Sequence, residues 1–492
     1  MAKVIIWQDG NAHTLSFTPP LPVRQALEQC SLAVAHPCGG RGKCGKCAIT
    51  LSGAVSPPTD SEKAAGTRLS CQAVLLGDAA VHLPDTQQLS QIEVSGVSGE
   101  TALEPMAGRL GAAIDIGTTT VALKLVDLQT GSILANAGML NPQTQIAADV
   151  MGRIGAALAG QGETLRLQIL EAIRSLLTSA CSRATRQTED VDILVLTGNT
   201  TMLYLLTGRN PDCLAHAPFL ADTLFGTETE ILGRRAYLPP CMNAFVGADI
   251  TCAVQASGML RRETTALLCD IGTNGEIALW KDGVLYVTST AAGPAFEGAG
   301  ISCGCGSIPG AIDRVWVEND KLHVHTIGDA HAVGVCGSGL IDAVAAFLDL
   351  ETVDETGATE EDELCLRDDV ALQPRDIRAV QLAKAAIAAG IETLLETAGV
   401  EPEQIETFYI AGGFGSHLNV ASAVRIGLIP EPLAQKVTVI GNASLSGAAD
   451  LLRNRCLAPE AEQIAGAATH VNLGGNPLFN EHYMEQMLFP EL

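Results

Sequence analysis

The chain has 492 residues, 47% of them hydrophobic, which is enough for about two to four domains with buried cores. Its 55 acidic against 30 basic residues give a formal net charge of −25, which argues against nucleic acid or an anionic membrane as a partner. The N-terminus lacks the pattern of a secretory signal, and no uncharged apolar run reaches about 18 residues, so we expect a cytoplasmic protein without a membrane span.

Residues 1–88 are predicted to form a small domain of their own. Strand-like runs at 4–7 and 13–17 flank a turn, and residues 22–32 can form one short helix. The stretch that follows, 89–110, is rich in Gln, Ser, Gly, Glu and Thr. Such a composition is typical of a linker, so we expect the first domain to move relative to the rest of the chain.

Four cysteines of the first domain have the spacing of metal ligands. They follow the pattern C-x₅-C-x₂-C, then 23 residues, then C, and are Cys38, Cys44, Cys47 and Cys71. A reducing cytosol argues against disulfides, and the four glycines between the first and third cysteine let the loop bend around a cluster. The pattern resembles a [2Fe–2S] ferredoxin domain of the plant or adrenodoxin kind, with one extra residue in the first gap. The alternative is structural zinc, although zinc ribbons generally show two C-x₂-C pairs.

From residue 111 onward the chain is predicted to be a duplicated α/β unit. The sequence Asp-Ile-Gly-Thr occurs at 115–118 and again at 270–273, each time after an apolar strand and before a second strand. The turn glycine lets backbone N–H groups form an anion-binding nest, and the aspartate can hold Mg²⁺ or orient water. We therefore predict two halves, 111–262 and 263–492, whose phosphate loops face one nucleotide.

Further glycine turns follow predicted strands. They occur at 198–202, 247–250, 293–300, 334–339, 412–415 and 441–447. An α/β protein places its ligand contacts at the C-terminal ends of strands, so these turns are candidates for the remaining walls of the site.

The whole set of motifs resembles the actin/Hsp70/sugar-kinase superfamily of ATPases, in which two ribonuclease-H-like halves close on Mg-ATP. With the N-terminal [2Fe–2S] domain, the chain is similar to the reductive activators of corrinoid proteins. The resemblance implies a multidomain α/β protein, with a small β-grasp-like ferredoxin domain and duplicated ATPase halves of the actin/Hsp70 type. It also implies ATP, Mg²⁺ and a [2Fe–2S] cluster as cofactors.

The resemblance also suggests a role for each candidate residue. Asp115 and Asp270 would act at Mg²⁺ and at the attacking water. The residues expected to hold phosphates are Gly117, Thr118, Thr119, Gly272, Thr273 and Asn274. Those expected around adenosine are Gly412 and Gly413, with Glu297 and Lys384 on the ribose and adenine rim.

The implied function is ATP-dependent reduction of Co(II) to Co(I) in the corrinoid protein of a methyltransferase system. The cluster would receive its electron from a separate donor, because the sequence has no flavin or nicotinamide fingerprint. A small-molecule kinase of the same superfamily and an ATP-gated redox sensor stay open as alternatives. The oligomeric state also stays open, with a homodimer as one option.

Overall fold

The computed structural model describes residues 1–8, 11–30, 32, 34, 47–64, 67–83, 94–97, 102–413 and 417–491. Two of the predicted cluster ligands, Cys38 and Cys44, lie outside the described residues. Within the described part of the chain, no helix is both long enough and apolar enough to cross a membrane.

The N-terminal domain is a mixed sheet packed against one helix. Its elements are β1 (Ala2–Gln8), β2 (Asn11–Phe17), β3 (Leu21–Pro22), α1 (Val23–Gln29), β4 (Ala48–Val55), α2 (Asp60–Ala64), β5 (Arg68–Leu69) and β6 (Val74–His82). The strand order is β2-β1-β6-β4-β5, with β1 and β6 parallel. Alternation along β1 buries Val4 and Ile6 against Leu27 of α1, as expected of a sheet with one face on the core.

The first half of the duplicated unit contains a six-stranded sheet in the order β11-β12-β10-β7-β8-β9. Its elements are β7 (Leu110–Ile116), β8 (Thr120–Asp127), β9 (Ile133–Leu140), α3 (Val150–Ala156), α4 (Gly162–Arg183), β10 (Val191–Gly198), α5 (Thr200–Thr207), α6 (Asp212–Ala215), β11 (Thr227–Ile231), β12 (Arg234–Leu238) and α7 (Ala248–Ser257).

The second half contains a six-stranded sheet in the order β22-β21-β13-β14-β15-β23. Its elements are β13 (Ala266–Ile271), β14 (Gly275–Lys281), β15 (Val284–Thr290), β16 (Ala311–Glu318), β17 (Lys321–Thr326), β18 (Gly334–Val335), α8 (Gly337–Asp349), β19 (Leu364–Arg367), β20 (Val370–Leu372), α9 (Pro374–Ala398), β21 (Thr407–Ala411), α10 (Val420–Arg425), β22 (Val437–Gly441), α11 (Ala443–Arg453), α12 (Leu457–Ala467), β23 (Thr469–His470) and α13 (Pro477–Glu485).

The two large sheets share one topology. In each, three strands form an antiparallel meander, β7–β8–β9 or β13–β14–β15. The first strand of each meander then pairs in parallel with a later strand, β10 or β21, which pairs with β12 or β22. The Asp-Ile-Gly-Thr turns occupy equivalent positions, between β7 and β8 and between β13 and β14. The predicted fold class, including the duplication, is confirmed.

Helices α7 and α11 join the halves by packing across their boundary. Side chains of α11, such as Leu452, lie in one core cluster with Val195 of the first sheet, and Val254 of α7 lies in another with Leu268 of the second. The two helices approach closely at Gly447, where a Cβ atom would lie 2.1 Å from the carbonyl oxygen of Cys252. Both helices begin at the cleft between the sheets, so each can carry side chains into it.

Part of the predicted linker is fixed to the second half. Residues 94–97, which we call the strap, form an antiparallel bridge at Gly96 to Gly441. The N–H of Val97 donates to the Ile440 carbonyl (3.1 Å), and the N–H of Asn442 donates to the Ser95 carbonyl (2.8 Å). These bonds attach residues 94–97 of the predicted linker to the second half. The domain boundaries themselves stay predictions.

Candidate functional site

The two predicted phosphate loops meet at the cleft between the halves. The hydroxyl oxygens of Thr119 and Thr273 lie 3.3 Å apart. Behind the first loop, the carbonyl of Gly117 accepts a hydrogen bond from the Asn141 side chain (2.8 Å). The second loop is closed by a bond from the N–H of Gly272 to the carbonyl of Asn274 (3.0 Å). Two hairpins 155 residues apart in sequence thus present their hydroxyl groups to one point.

Glu297 lies between these two hydroxyls. Its carboxylate accepts a hydrogen bond from Thr273 (3.0 Å) and another from Thr119. Burial raises the pKa of Glu297, while the bonds from the two threonines act in the opposite direction. The expected position of Glu297 on the ribose and adenine rim is therefore wrong, because the turn at Ala295–Glu297 directs this side chain to the phosphate loops.

Four further buried carboxylates, two of them in the Asp-Ile-Gly-Thr turns, have raised pKa values. Asp115 accepts hydrogen bonds from Asn442 (3.0 Å) and Ser444 (3.2 Å), while burial raises its pKa. Burial, then the charges of Asp115 and Glu297, raise the pKa of Asp270 to about 7. Burial, then the charges of Asp115 and Asp270, raise the pKa of Asp249 to about 8. Burial, then the charges of Asp249 and Asp270, raise the pKa of Glu276 well above its ordinary value.

The cleft suits a hydrated Mg²⁺ ion better than a tightly caged cation. The carboxylates of Asp115, Asp249 and Asp270 disfavour one another's charge, and a divalent cation would remove that repulsion. Among the residues that the structure describes, no three His, Cys, Asp or Glu side chains form a ready metal cage. Mg²⁺ usually keeps several waters and uses one or two carboxylates together with phosphate oxygens, so these residues fit it.

The predicted turn at 247–250 contains Asp249, but the sequence singled out neither Asp249 nor Glu276 as a site residue. The turn that precedes Asp249 was recognised as a strand-to-helix turn, but nothing local distinguishes this aspartate from a helix-start residue. Its charge reaches the cleft because α7 begins at the boundary between the halves. Glu276 follows the second phosphate loop and extends the acidic cluster.

Replacing Asp249 with asparagine is expected to stabilise the metal-free protein more at pH 8 than at pH 5. A carboxyl group with a raised pKa in the folded state keeps its proton there while the unfolded chain ionises. Ionisation of this carboxyl in the unfolded chain therefore lowers the free energy of unfolding as the pH rises from about 4 towards about 8. The loss is up to about 1.4 kcal/mol per pH unit.

Melting temperatures of the two proteins, measured in a chelator between pH 5 and 9, test this prediction. Asp362→Asn, at an exposed position, is the control. A difference in melting temperature between Asp249→Asn and the unmodified protein that does not change with pH would contradict the prediction.

A buried arginine supports the first phosphate loop from behind. Arg153 is fully buried, and its guanidinium donates to the carbonyl of Thr118 and to Gln143 (3.1 Å). Burial lowers its pKa to about 10. The Thr118 hydroxyl accepts a further bond from Asn199 (3.1 Å), the cap of α5. Asn199 lies in the predicted turn at 198–202, but its contact with Thr118 and the role of Arg153 both depend on packing between distant segments.

The predicted adenosine turn is only partly described. Gly412 has φ +95°, and a Cβ atom there would lie 2.6 Å from a carboxylate oxygen of Asp270, so this turn lies directly beside the second phosphate loop. Gly413 is exposed, and residues 414–416 lie outside the described chain.

Lys384 does not belong to the nucleotide rim. It is fully buried in α9, its ammonium group donates to the carbonyl of Leu488, and it lies 5.6 Å from the centre of the Phe489 ring. Burial lowers its pKa to about 8. The prediction was wrong because this face of α9 packs on the C-terminal segment.

In the N-terminal domain, two of the predicted ligands lie together. The sulfur atoms of Cys47 and Cys71 are 3.3 Å apart, and burial raises the pKa of Cys47 to about 12. Thiolates on one tetrahedral metal with bonds of about 2.3 Å lie roughly 3.8 Å apart, so a small adjustment would let both bind the same centre. A cation would also compensate the burial of their charge.

Three regions of the chain match models of known protein families. Residues 7–76 match the model of the 2Fe-2S iron-sulfur cluster binding domain, residues 110–262 match the RACo middle region, and residues 264–492 match the C-terminal domain of RACo, the ASKHA domain. The cleft thus lies between two regions that are matched by models of one family.

Similarity to individual proteins points to the same family. The corrinoid activation enzyme RamQ of Eubacterium limosum is 35% identical over 418 residues, covering 77% of this chain and 70% of the relative. The reductase of the Co(II) methylated amine-specific corrinoid protein of Methanosarcina barkeri is 26% identical over 420 residues, covering 77% of each chain. A solved structure of a reductive activator for corrinoid, iron-sulfur protein superposes with a TM-score of 0.74 at 27% identity, covering 100% of this chain and 98% of that one. The chain belongs to the family of reductive activators of corrinoid proteins.

Proposed function

We propose that this protein uses ATP binding and hydrolysis to drive the one-electron reduction of Co(II) to Co(I) in the corrinoid protein of a methyltransferase system. The observation that carries the proposal is the meeting of two equivalent phosphate loops at one acidic cleft, in a chain that also has a matched 2Fe-2S domain. The names of its relatives supply the substrate class, a corrinoid protein.

The residues of the cleft have different roles towards the nucleotide. The backbone N–H groups of Thr118, Thr119, Thr273 and Asn274, with the Thr118 hydroxyl and the glycines beside them, hold the phosphates. Asp115, Asp249 and Asp270 hold the hydrated Mg²⁺ ion, which neutralises phosphate charge when bound. Phosphoryl transfer needs mainly such positioning and charge neutralisation. Gly412 and Gly413 line the adenosine side.

In the N-terminal domain, Cys38, Cys44, Cys47 and Cys71 hold the cluster, which carries one electron when bound. Plant-type clusters have potentials near roughly −400 mV, and each further 100 mV of unfavourable gap costs about 2.3 kcal/mol per electron. An electron would stay on the cluster if the reduction potential of the cobalt couple is lower than that of the cluster. ATP changes this only if the nucleotide states bind the Co(II) protein with different affinity.

The strap offers a route for that coupling. It is bonded to the main chain of Asn442, and the side chain of the same residue donates to Asp115 in the cleft. A change of position at Asp115 on nucleotide binding is therefore transmitted to the segment that leads to the cluster domain.

Replacing Gly96 with valine is expected to uncouple the two activities. A Cβ atom at Gly96 would lie 2.5 Å from both the Asn442 carbonyl oxygen and the Ser446 hydroxyl, so the strap must leave its place. We expect ATP hydrolysis within about threefold of the unmodified protein and ATP-dependent cobalt reduction lowered by tenfold or more. Gly155→Val is the matched control, because Gly155 has open space around its Cβ position. Equal cobalt reduction by both variants would contradict a coupling role for the strap.

The function is tested by what stimulates ATP hydrolysis. Phosphate release is measured anaerobically with Mg-ATP, first alone, then with a Co(II) corrinoid protein, then with a panel of sugars and small acids. We expect stimulation by the corrinoid protein and no phosphorylated small molecule. Transfer of phosphate to a sugar or acid would favour the kinase, and tight binding of a partner without electron transfer would favour the redox sensor.

A further inference from the structure

Glu297 holds a position that none of the other cleft carboxylates shares. It contacts the hydroxyl groups of both phosphate loops, one from each half of the molecule. Its Oε1 atom also lies 3.5 Å from the Cβ position of Gly272, so the second loop passes directly beside it. The carboxylate therefore occupies the point at which the two loops converge.

The aspartates are engaged elsewhere. Asp115 is fixed by Asn442 and Ser444 at the end of β7, and Asp270 lies against Gly412 at the end of β13. Asp249 enters from α7, at the second residue of that helix, and the charges of Asp115 and Asp270 act on it. These three form the cation side of the cleft. Glu297 comes from a different segment, the turn at Ala295–Glu297, and its described hydrogen-bond donors are the threonines.

A carboxylate beside a terminal phosphate cannot be a direct ligand of it, because both groups are anionic. It can act there through a cation or through a water molecule. Since the three aspartates already provide the cation side, the remaining role for Glu297 is towards the water.

We propose that Glu297 is the base that activates the attacking water in ATP hydrolysis, an inference that rests on the proposed function. The water oxygen forms a bond to the γ-phosphorus while Glu297 accepts one water proton. The bond between the γ-phosphorus and the β,γ-bridging oxygen breaks, and ADP leaves with the electron pair. The hydroxyls of Thr119 and Thr273 donate to Glu297 and so position its carboxylate. The proton then passes from Glu297 to the released phosphate or to solvent.

The test uses the full-length, cluster-loaded protein and its Glu297→Gln variant. Glutamine keeps the size and an acceptor oxygen but is a very weak base. We expect ATP turnover to fall by about 10²–10⁴-fold, while the affinity for a non-hydrolysable ATP analogue with Mg²⁺ is unchanged or tighter because one negative charge is removed. Glu263→Gln, at an exposed position, removes the same charge and should leave turnover and binding unchanged. Cluster absorbance and melting temperature confirm that each variant is folded.

Three outcomes contradict the inference. Turnover by Glu297→Gln within about threefold of the unmodified protein would show that another group activates the water. Turnover restored by raising the Mg²⁺ concentration would make Glu297 a cation ligand, and loss of analogue binding would make it part of nucleotide recognition. If the unmodified protein itself fails to hydrolyse ATP, with or without a corrinoid protein, the proposed function fails and this role falls with it.

Discussion

Asp270→Ala is expected to reduce ATP turnover by at least about 100-fold while the absorbance of the iron–sulfur cluster stays intact. The carboxylate lies at the end of β13 beside the second phosphate loop, and burial with the nearby charges of Asp115 and Glu297 raises its pKa to about 7. Removing this carboxylate would take away one of the proposed ligands of Mg²⁺.

The measurement is steady-state phosphate release with a cluster spectrum on the same sample. Asp362→Ala, an exposed replacement of the same kind, is the control. Loss of turnover and cluster together would indicate that Asp270 has only a structural role, and retained turnover would remove it from the nucleotide site.

Cys47→Ala is expected to have the opposite effect to Asp270→Ala: it should remove the cluster and leave the nucleotide site intact. The sulfur of Cys47 is buried and lies 3.3 Å from that of Cys71, so its loss removes one of four proposed ligands. We expect the visible spectrum of the cluster and all ATP-dependent cobalt reduction to disappear, while binding of an ATP analogue persists.

Cys30→Ala is the matched control, because this cysteine follows α1 and packs against the core of the same domain. It should keep the cluster. Iron analysis adds an independent test: about two irons per unmodified chain are expected, whereas zinc in their place would support the structural zinc alternative. A full cluster spectrum in Cys47→Ala would contradict the ligand assignment.

Local sequence patterns carry much of the fold. The Asp-Ile-Gly-Thr turns predicted two equivalent hairpins, and the sheets confirm them, because a strand–turn–strand unit is specified by neighbouring residues. The cysteine spacing likewise predicted the ferredoxin domain that the family model matches.

The composition of the cleft could not be predicted in this way. Asp249 and Arg153 reach the phosphate loops only because helices and sheets from distant segments pack together. Lys384 was misplaced because a lysine in a helix does not reveal which face is buried. Glu297 was assigned to the correct site but to its wrong end. The composition of the strap is typical of a flexible linker, but main-chain hydrogen bonds hold it in place. Composition cannot predict such bonds.

The central claim is that this chain couples ATP hydrolysis in the cleft to electron transfer from its cluster. The most direct measurement is anaerobic: the reduced protein is mixed with a Co(II) corrinoid protein from the same organism, and the cobalt absorbance is followed with and without Mg-ATP. The account predicts Co(I) only when Mg-ATP, the cluster and Asp270 are all present. Co(I) formed equally without nucleotide, or ATP hydrolysed without Co(I) across several corrinoid partners, would contradict it.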